Sequence, residues 1–72
     1  MNAIPEMKPI DSSNIEAVGH HKNELHVRFK GGTHYVYDNV PADVHQLLLE
    51  SDSKGRFIGQ HIKGKFAARR LP

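Results

Sequence analysis

The stretch Glu24–Asp38, ELHVRFKGGTHYVYD, decides the fold. Leu25, Val27 and Phe29 alternate with His26 and Arg28, the two-residue period of a strand with one face in a core and the other in water. Gly31-Gly32 offers the positive φ values that hairpin turns demand, and THYVYD supplies the returning strand. Loop length then sets the direction of Tyr35 and Tyr37. A two- or four-residue loop opposes Phe29 to His34 and Val27 to Val36. Both tyrosines then share the outer face with His26 and Arg28, a basic and aromatic surface suited to stacking on bases. A three-residue loop, with glycine in the left-handed position of a bulge, opposes Val27 to a tyrosine and sends both rings into the core. The residues alone leave both registers open.

Upstream, Ile15–His20 is mostly apolar with weak alternation and reads as a first strand, joined to ELHVRFK by a turn over His20–Asn23. The first eleven residues contain Pro5 and Pro9 and carry neither hydrophobic period, so a flexible arm is expected over 1–11. Downstream, Pro41 suits the start of a helix, and Val44, Leu47 and Leu48 fall at i, i+3, i+4 on one stripe of a helix roughly ten residues long. ESDSKG breaks that helix. Ser53 can cap a second one, with Phe57, Ile58, His61 and Ile62 on one face and Gly55, Gly59 and Gly64 weakening it. Phe66 anchors a final strand or an extended tail. The order predicts an α+β domain, a small antiparallel sheet of three or four strands with two short helices packed on one face.

Seventy-two residues allow one domain, near the size at which a single core is marginal. The chain has no cysteine, which excludes disulfides, thiolate zinc sites and a cysteine nucleophile and makes a reducing cytoplasm the expected setting. No window approaches the length of a membrane span, and the start, MNAIPEMKPIDSS, lacks the apolar core of a secretion signal, so no membrane association is expected. Charge is divided. Residues 1–53 hold four Lys/Arg against eight Asp/Glu, whereas residues 54–72 hold six Lys/Arg and no acid. The basic end, Lys54, Arg56, Lys63, Lys65, Arg69 and Arg70, suits phosphate or an acidic protein surface, although a solvated face has the same composition.

Six histidines raise the question of a metal. His20 and His21 are adjacent and point opposite ways on a strand, while His26 and His34, on neighbouring strands, can approach each other. No pair has the i, i+4 spacing of a helical site, and no carboxylate completes a ligand set, so neither a metal nor another cofactor is expected. Ser12, Ser13, Ser51 and Ser53 lie where hydroxyls cap or turn the backbone, and a chain this short can hardly enclose a nucleophile, a base and an oxyanion hole. A non-enzymatic domain is expected.

SSNIEAVGH, LHVRF, THYVYDNVP and LLLESDSKGRFIGQHIKGKF together resemble the KTSC domain, a type found at the C-terminus of some lysyl-tRNA synthetases and also free-standing. The resemblance runs from about Ser12 to Leu71 and rests most on Tyr35-Val36-Tyr37, Val40-Pro41, and Ser53-x-Gly55 followed by Phe57 and Ile62-Lys63. It implies a single KTSC-like domain over 12–71, with RNA binding as one role. The chain departs from the family's usual Gly-Tyr-Asp with Gly19-His20-His21, and from an aromatic-Asn pair with Ile58-Gly59. It also resembles the small transcription regulators of lytic phages. That resemblance implies binding to bacterial RNA polymerase in the host cytoplasm, inhibition of promoter-dependent initiation by disturbing the sigma-containing holoenzyme, and antitermination. The leading expectation is therefore a monomeric polymerase-binding regulator using the arm and the six C-terminal cations. The alternative is an RNA-binding module that uses the basic tail with Tyr35 and Tyr37 as stacking residues.

Overall fold

The computed structural model describes residues 4–72; the Met1–Ala3 part of the expected arm lies outside the described residues. Its strands are β1 (Lys8–Pro9), β2 (Ile15–His21), β3 (Glu24–Phe29), β4 (His34–Tyr37) and β5 (Ala68–Leu71), and they form one antiparallel sheet in chain order. Between β4 and β5 run α1 (Ala42–Glu50) and α2 (Lys54–Phe57), the latter continuing as a π-helical stretch, Ile58–Ile62. The α+β class with two short helices holds. The sheet has five strands rather than three or four. β5 is the final strand expected after Phe66; the strand beyond that count is β1, an edge strand whose side chains are exposed, so it leaves no hydrophobic period in the sequence. Pro9 is accommodated because an edge strand does not need every N–H.

The β3–β4 loop has three residues, Lys30–Gly32. Phe29 N–H donates to the Thr33 carbonyl at 2.8 Å, and Gly32 N–H donates to the Phe29 carbonyl at 2.9 Å. Gly32 has φ +95°, a value natural to glycine and strained for any other residue. The resulting register pairs Val27 with Tyr35 and Leu25 with Tyr37. At the β2–β3 hairpin the turn is only Lys22-Asn23, both with positive φ, as a two-residue primed turn requires.

A bulge in β2 explains its weak alternation. Ile15 pairs with Phe29 but Ala17 pairs with Arg28, so an extra residue is inserted and both Ile15 and Val18 face the helices. Those two residues meet Leu25, Val27, Leu48 and Ile62 in a fully buried core. Each such aliphatic side chain contributes about 1.5–3 kcal/mol by leaving water. On α1 the buried stripe is Leu48 with Val44 and Leu49 beside it, while Leu47 is 55% exposed, contrary to the expected Val44–Leu47–Leu48 stripe. The wheel is rotated so that the i, i+4 pair Val44 and Leu48 points at the sheet.

In the second helix the Ser53 hydroxyl accepts from Arg56 N–H at 3.4 Å, a cap as expected. Beyond it Lys63 N–H donates to the Ile58 carbonyl at 2.7 Å, an i to i+5 bond that widens the turn. Ile58 and Ile62 are both buried as a result. His61, expected on the buried face, is exposed and rests on Phe57, ring centroids 4.8 Å apart.

Gly32→Ala is expected to destabilise the domain by about 1 kcal/mol or more in urea denaturation, because alanine is strained at positive φ. Gly31→Ala should cost far less, since a Cβ there meets nothing within 4 Å and the φ is not positive.

Candidate functional site

The hairpin register fixes the site. With Val27 opposite Tyr35 and Leu25 opposite Tyr37, both tyrosines lie on the helix-bearing face beside Phe29. The open platform of the two- or four-residue loop is therefore not formed; His26, Arg28 and His34 occupy the opposite face without the tyrosine rings. Tyr37 is 4% exposed and belongs to the core, whereas Tyr35 is half-buried at its margin. Phe29 meets Tyr35 edge to face at 5.9 Å, and Tyr35 meets Tyr37 at 6.4 Å.

The π-helical stretch does not close over these rings. Between them and the helical segment lies a cleft of about 340 Å³, lined on the sheet side by Phe29, Tyr35 and Tyr37 and on the other by Gly55, Gly59 and Gly64. Asn14 and Lys63 complete its rim. Burial, and secondarily the neighbouring Tyr35, push the Tyr37 hydroxyl above its ordinary range, so it remains a protonated donor at neutral pH. Sequence reasoning found the tyrosines and Lys63 but missed Asn14 and the glycine wall. The signal was present in the three glycines that looked like defects in a helix.

The six cations do not act as one group. Lys63 is on the rim of the aromatic cleft, and Lys54 and Arg56 line a polar hollow that shares Asn14 and Gly55 with it. Arg70 opposes Tyr35 across the β4–β5 ladder and so lies on the same face of the sheet. Lys65 is exposed in the turn after the π-helical stretch. Arg69 points to the other face, where it bonds Glu24 at 2.7 Å and Asp38 at 3.3 Å.

That other face holds the histidine pair. His26 Nδ1 and His34 Nε2 are 2.9 Å apart, so one ring donates and the other accepts. Burial lowers the pKa of both, and for His34 the nearby His26 and Arg28 lower it further; at His26, Glu24 partly offsets the burial. His20 Nε2 donates to the Val40 carbonyl at 2.7 Å and stacks on His45 at 4.8 Å. His45 is lowered by burial and then by His20 and Lys8. Among the described residues no group of three His, Cys, Asp or Glu could hold a metal ion, and no helix is long and apolar enough to cross a membrane.

A twisted sheet carrying two short helices, with an aromatic cleft opening between them, defines a small sheet-and-helix domain with a ligand-sized recess. The chain belongs to the KTSC domain family, whose family model matches residues 11–66. It is similar to a protein of Tsukamurella paurometabola, 44% identical over 86% of this chain and 96% of the relative, and to one of Stutzerimonas stutzeri, 39% identical over 75% and 79%. The crystal structure of a KTSC domain protein from Yersinia pestis superposes with a TM-score of 0.88 at 36% identity, covering 93% of this chain and 97% of that one.

Two outcomes follow from these placements. Tyr37→Ala should destabilise the fold by about 3 kcal/mol or more, the range for truncating a buried aromatic, whereas Tyr35→Phe should leave denaturant stability nearly unchanged. Because the folded pKa of His26, His34 and His45 is lowered from the ordinary 6.5, the unfolded chain takes up protons that the folded chain refuses as pH falls. Stability should thus be full above 6.5 and decline below it until the folded rings titrate. Melting temperatures measured from about pH 7.5 to about pH 5 check the decline, and NMR titration of the ring protons should give midpoints below 6.5 for these three.

Proposed function

We propose that this domain binds single-stranded nucleic acid, with RNA the form that its family resemblance favours, and that it does so through the helix-bearing face. One observation carries the reading: Lys54, Arg56, Lys63 and Arg70 border the aromatic cleft or stand beside it, and none has an ion-pair partner among the described residues. Of the six C-terminal cations, Arg69, which is turned away from that face, is paired with carboxylates among the described residues. Asp11 and Asp52 share the hollow with Lys54 and Arg56 without pairing to them, and the Lys54 ammonium donates to the Ser51 carbonyl at 3.0 Å. Lys63 and Arg70 are therefore the cations most free to meet a phosphate backbone carrying flat apolar groups.

A polymerase-binding regulator is the alternative function. Flat acidic protein surfaces can be met by the same cations, but they have no use for a recess lined by three aromatic rings. A phage origin, sigma disruption, antitermination and any link to a lysyl-tRNA synthetase belong to that alternative or to the finer history of the family, and the geometry supports none of them over another.

Binding of a labelled RNA octanucleotide should weaken steeply with salt. Four phosphate contacts give a slope of log K against log salt of about −3 for a single strand. Neutralising Lys54, Arg56, Lys63 and Arg70 should flatten the slope, and Arg69→Gln should leave it unchanged. A tagged pull-down from bacterial lysate, with and without nuclease, separates the readings. Retention lost with nuclease supports nucleic acid, and polymerase subunits retained after nuclease would replace this proposal with the regulator.

A further inference from the structure

Resting on that reading and extending it, we infer that the cleft is a receptacle for one unstacked nucleobase, held between the Tyr35 and Phe29 rings and the glycine wall, with Lys63 meeting an adjoining phosphate. The cleft is of ligand size, at the small end of the range for binding pockets of about 300–1,000 Å³.

Its polar groups are unused. Neither tyrosine hydroxyl has a hydrogen-bond partner among the described residues, and the same is true of the Asn14 side-chain amide, although Asn14 backbone groups are bonded to Ser12 and Lys30. Lys63 is without an ion pair among them. A largely apolar recess lined by a few polar groups that do not satisfy one another suits a ligand that satisfies them. Two phenolic hydroxyls and an amide match the mixed donor and acceptor edge of a base, and an ammonium matches the phosphate that follows it.

The wall is held open by absent side chains. A Cβ at Gly59 meets nothing within 4 Å, so no packing requirement accounts for glycine at this exposed position. The same substitution places a side chain at the cleft lining, which Gly59 forms directly. Gly55 differs, since its Cβ would come within 3.4 Å of the Ser12 hydroxyl and 4.0 Å of Ile15. A free mononucleotide would fill the recess but reach only the nearest cation. A strand would also reach Lys54 and Arg56 on one side and Arg70 at the sheet edge, so the ligand is a strand that gives up one base.

The test compares wild type with Gly59→Phe, Tyr35→Phe and Asn14→Ala, using an RNA octanucleotide with 2-aminopurine at one interior position. In the wild type the fluorophore should be quenched on binding. Gly59→Phe should keep the wild-type melting temperature and the salt slope while losing the quenching and about tenfold or more in affinity, the scale of one base stacked on an aromatic side chain. Should Gly59→Phe fail to fold, Tyr35→Phe and Asn14→Ala carry the same test, each expected to weaken octanucleotide binding severalfold at unchanged stability.

A folded Gly59→Phe that binds and quenches like wild type overturns the base receptacle. Salt-dependent binding in that case leaves the nucleic-acid reading standing. If instead wild type shows no salt-dependent binding to the octanucleotide, the parent reading falls and the receptacle with it. Nuclease-resistant capture of a protein that Gly59→Phe abolishes would assign the cleft to a protein side chain and likewise overturn the inference.

Discussion

The three-residue loop at Lys30–Gly32 is the constraint on which the rest of the molecule depends. Its hydrogen bonds and the positive φ of Gly32 set the β3–β4 register, and a slip of one residue would exchange every side chain of β4 between the two faces. His34 and Val36 would then face the helices, and Tyr35 and Tyr37 would face away. As built, the larger side chains lie on the side of α1 and the π-helical stretch, and the histidines meet on the reverse of the sheet. One glycine in the left-handed region thus determines both the composition of the core and the identity of the cleft walls.

The reverse face shows how a small domain without a second layer of helices manages polar groups. His26 is 4% exposed and His34 is 8%, and the bond between their rings satisfies one nitrogen of each. The remaining His26 Nε2 is buried with Glu24 Oε1 at 3.7 Å, too far for a hydrogen bond. Glu24 is meanwhile held by Arg69, which also reaches Asp38, tying β3, β5 and the residue after β4 together. Exposed ion pairs of this kind contribute little individually to stability; their effect here is to seat the edge strand β5. At the other edge Gly19 lets the chain pass directly over β2, since a Cβ there would lie 2.8 Å from the Glu6 carbonyl and 2.9 Å from the Met7 sulfur.

The parts of this fold that were legible in the sequence are those with a period. Leu25, Val27 and Phe29 announced β3, Val44 and Leu48 announced α1, and Ser53 announced the cap of α2. What escaped detection lacks a period or breaks one. Lys8–Pro9 is a two-residue edge strand with exposed side chains, and its membership of the sheet depends on backbone pairing with β2; Ala68–Leu71 answers the expected final strand, but its pairing with β4 left no period of its own. The bulge in β2 puts Ile15 and Val18 on one face at an i, i+3 spacing, which breaks the two-residue period of a strand. The direction of the tyrosines turned on loop length, which two adjacent glycines do not specify. The π-helical stretch escaped for a related reason: its i to i+5 bond rotates His61 out of a face that ideal helical spacing assigns to it.

The same limit applies to charge. Counted along the chain, residues 54–72 form one basic block, but strand alternation alone separates Arg69 from Arg70 and sends them to opposite faces. Arg69 meets the acidic residues of the first half of the chain, while Arg70 joins the face that carries Lys63 and the aromatic rings. Folding therefore uses part of the opposite charge of the two halves internally and leaves Lys63 and Arg70 on the face that carries the cleft. Glycine has a parallel division of labour: Gly32 is required by backbone geometry and Gly19 by close approach, but Gly59 satisfies neither demand. Gly59, which neither backbone geometry nor packing requires, lines the cleft beside Lys63, and it is on this juxtaposition that the proposed function places its ligand on the helix-bearing face.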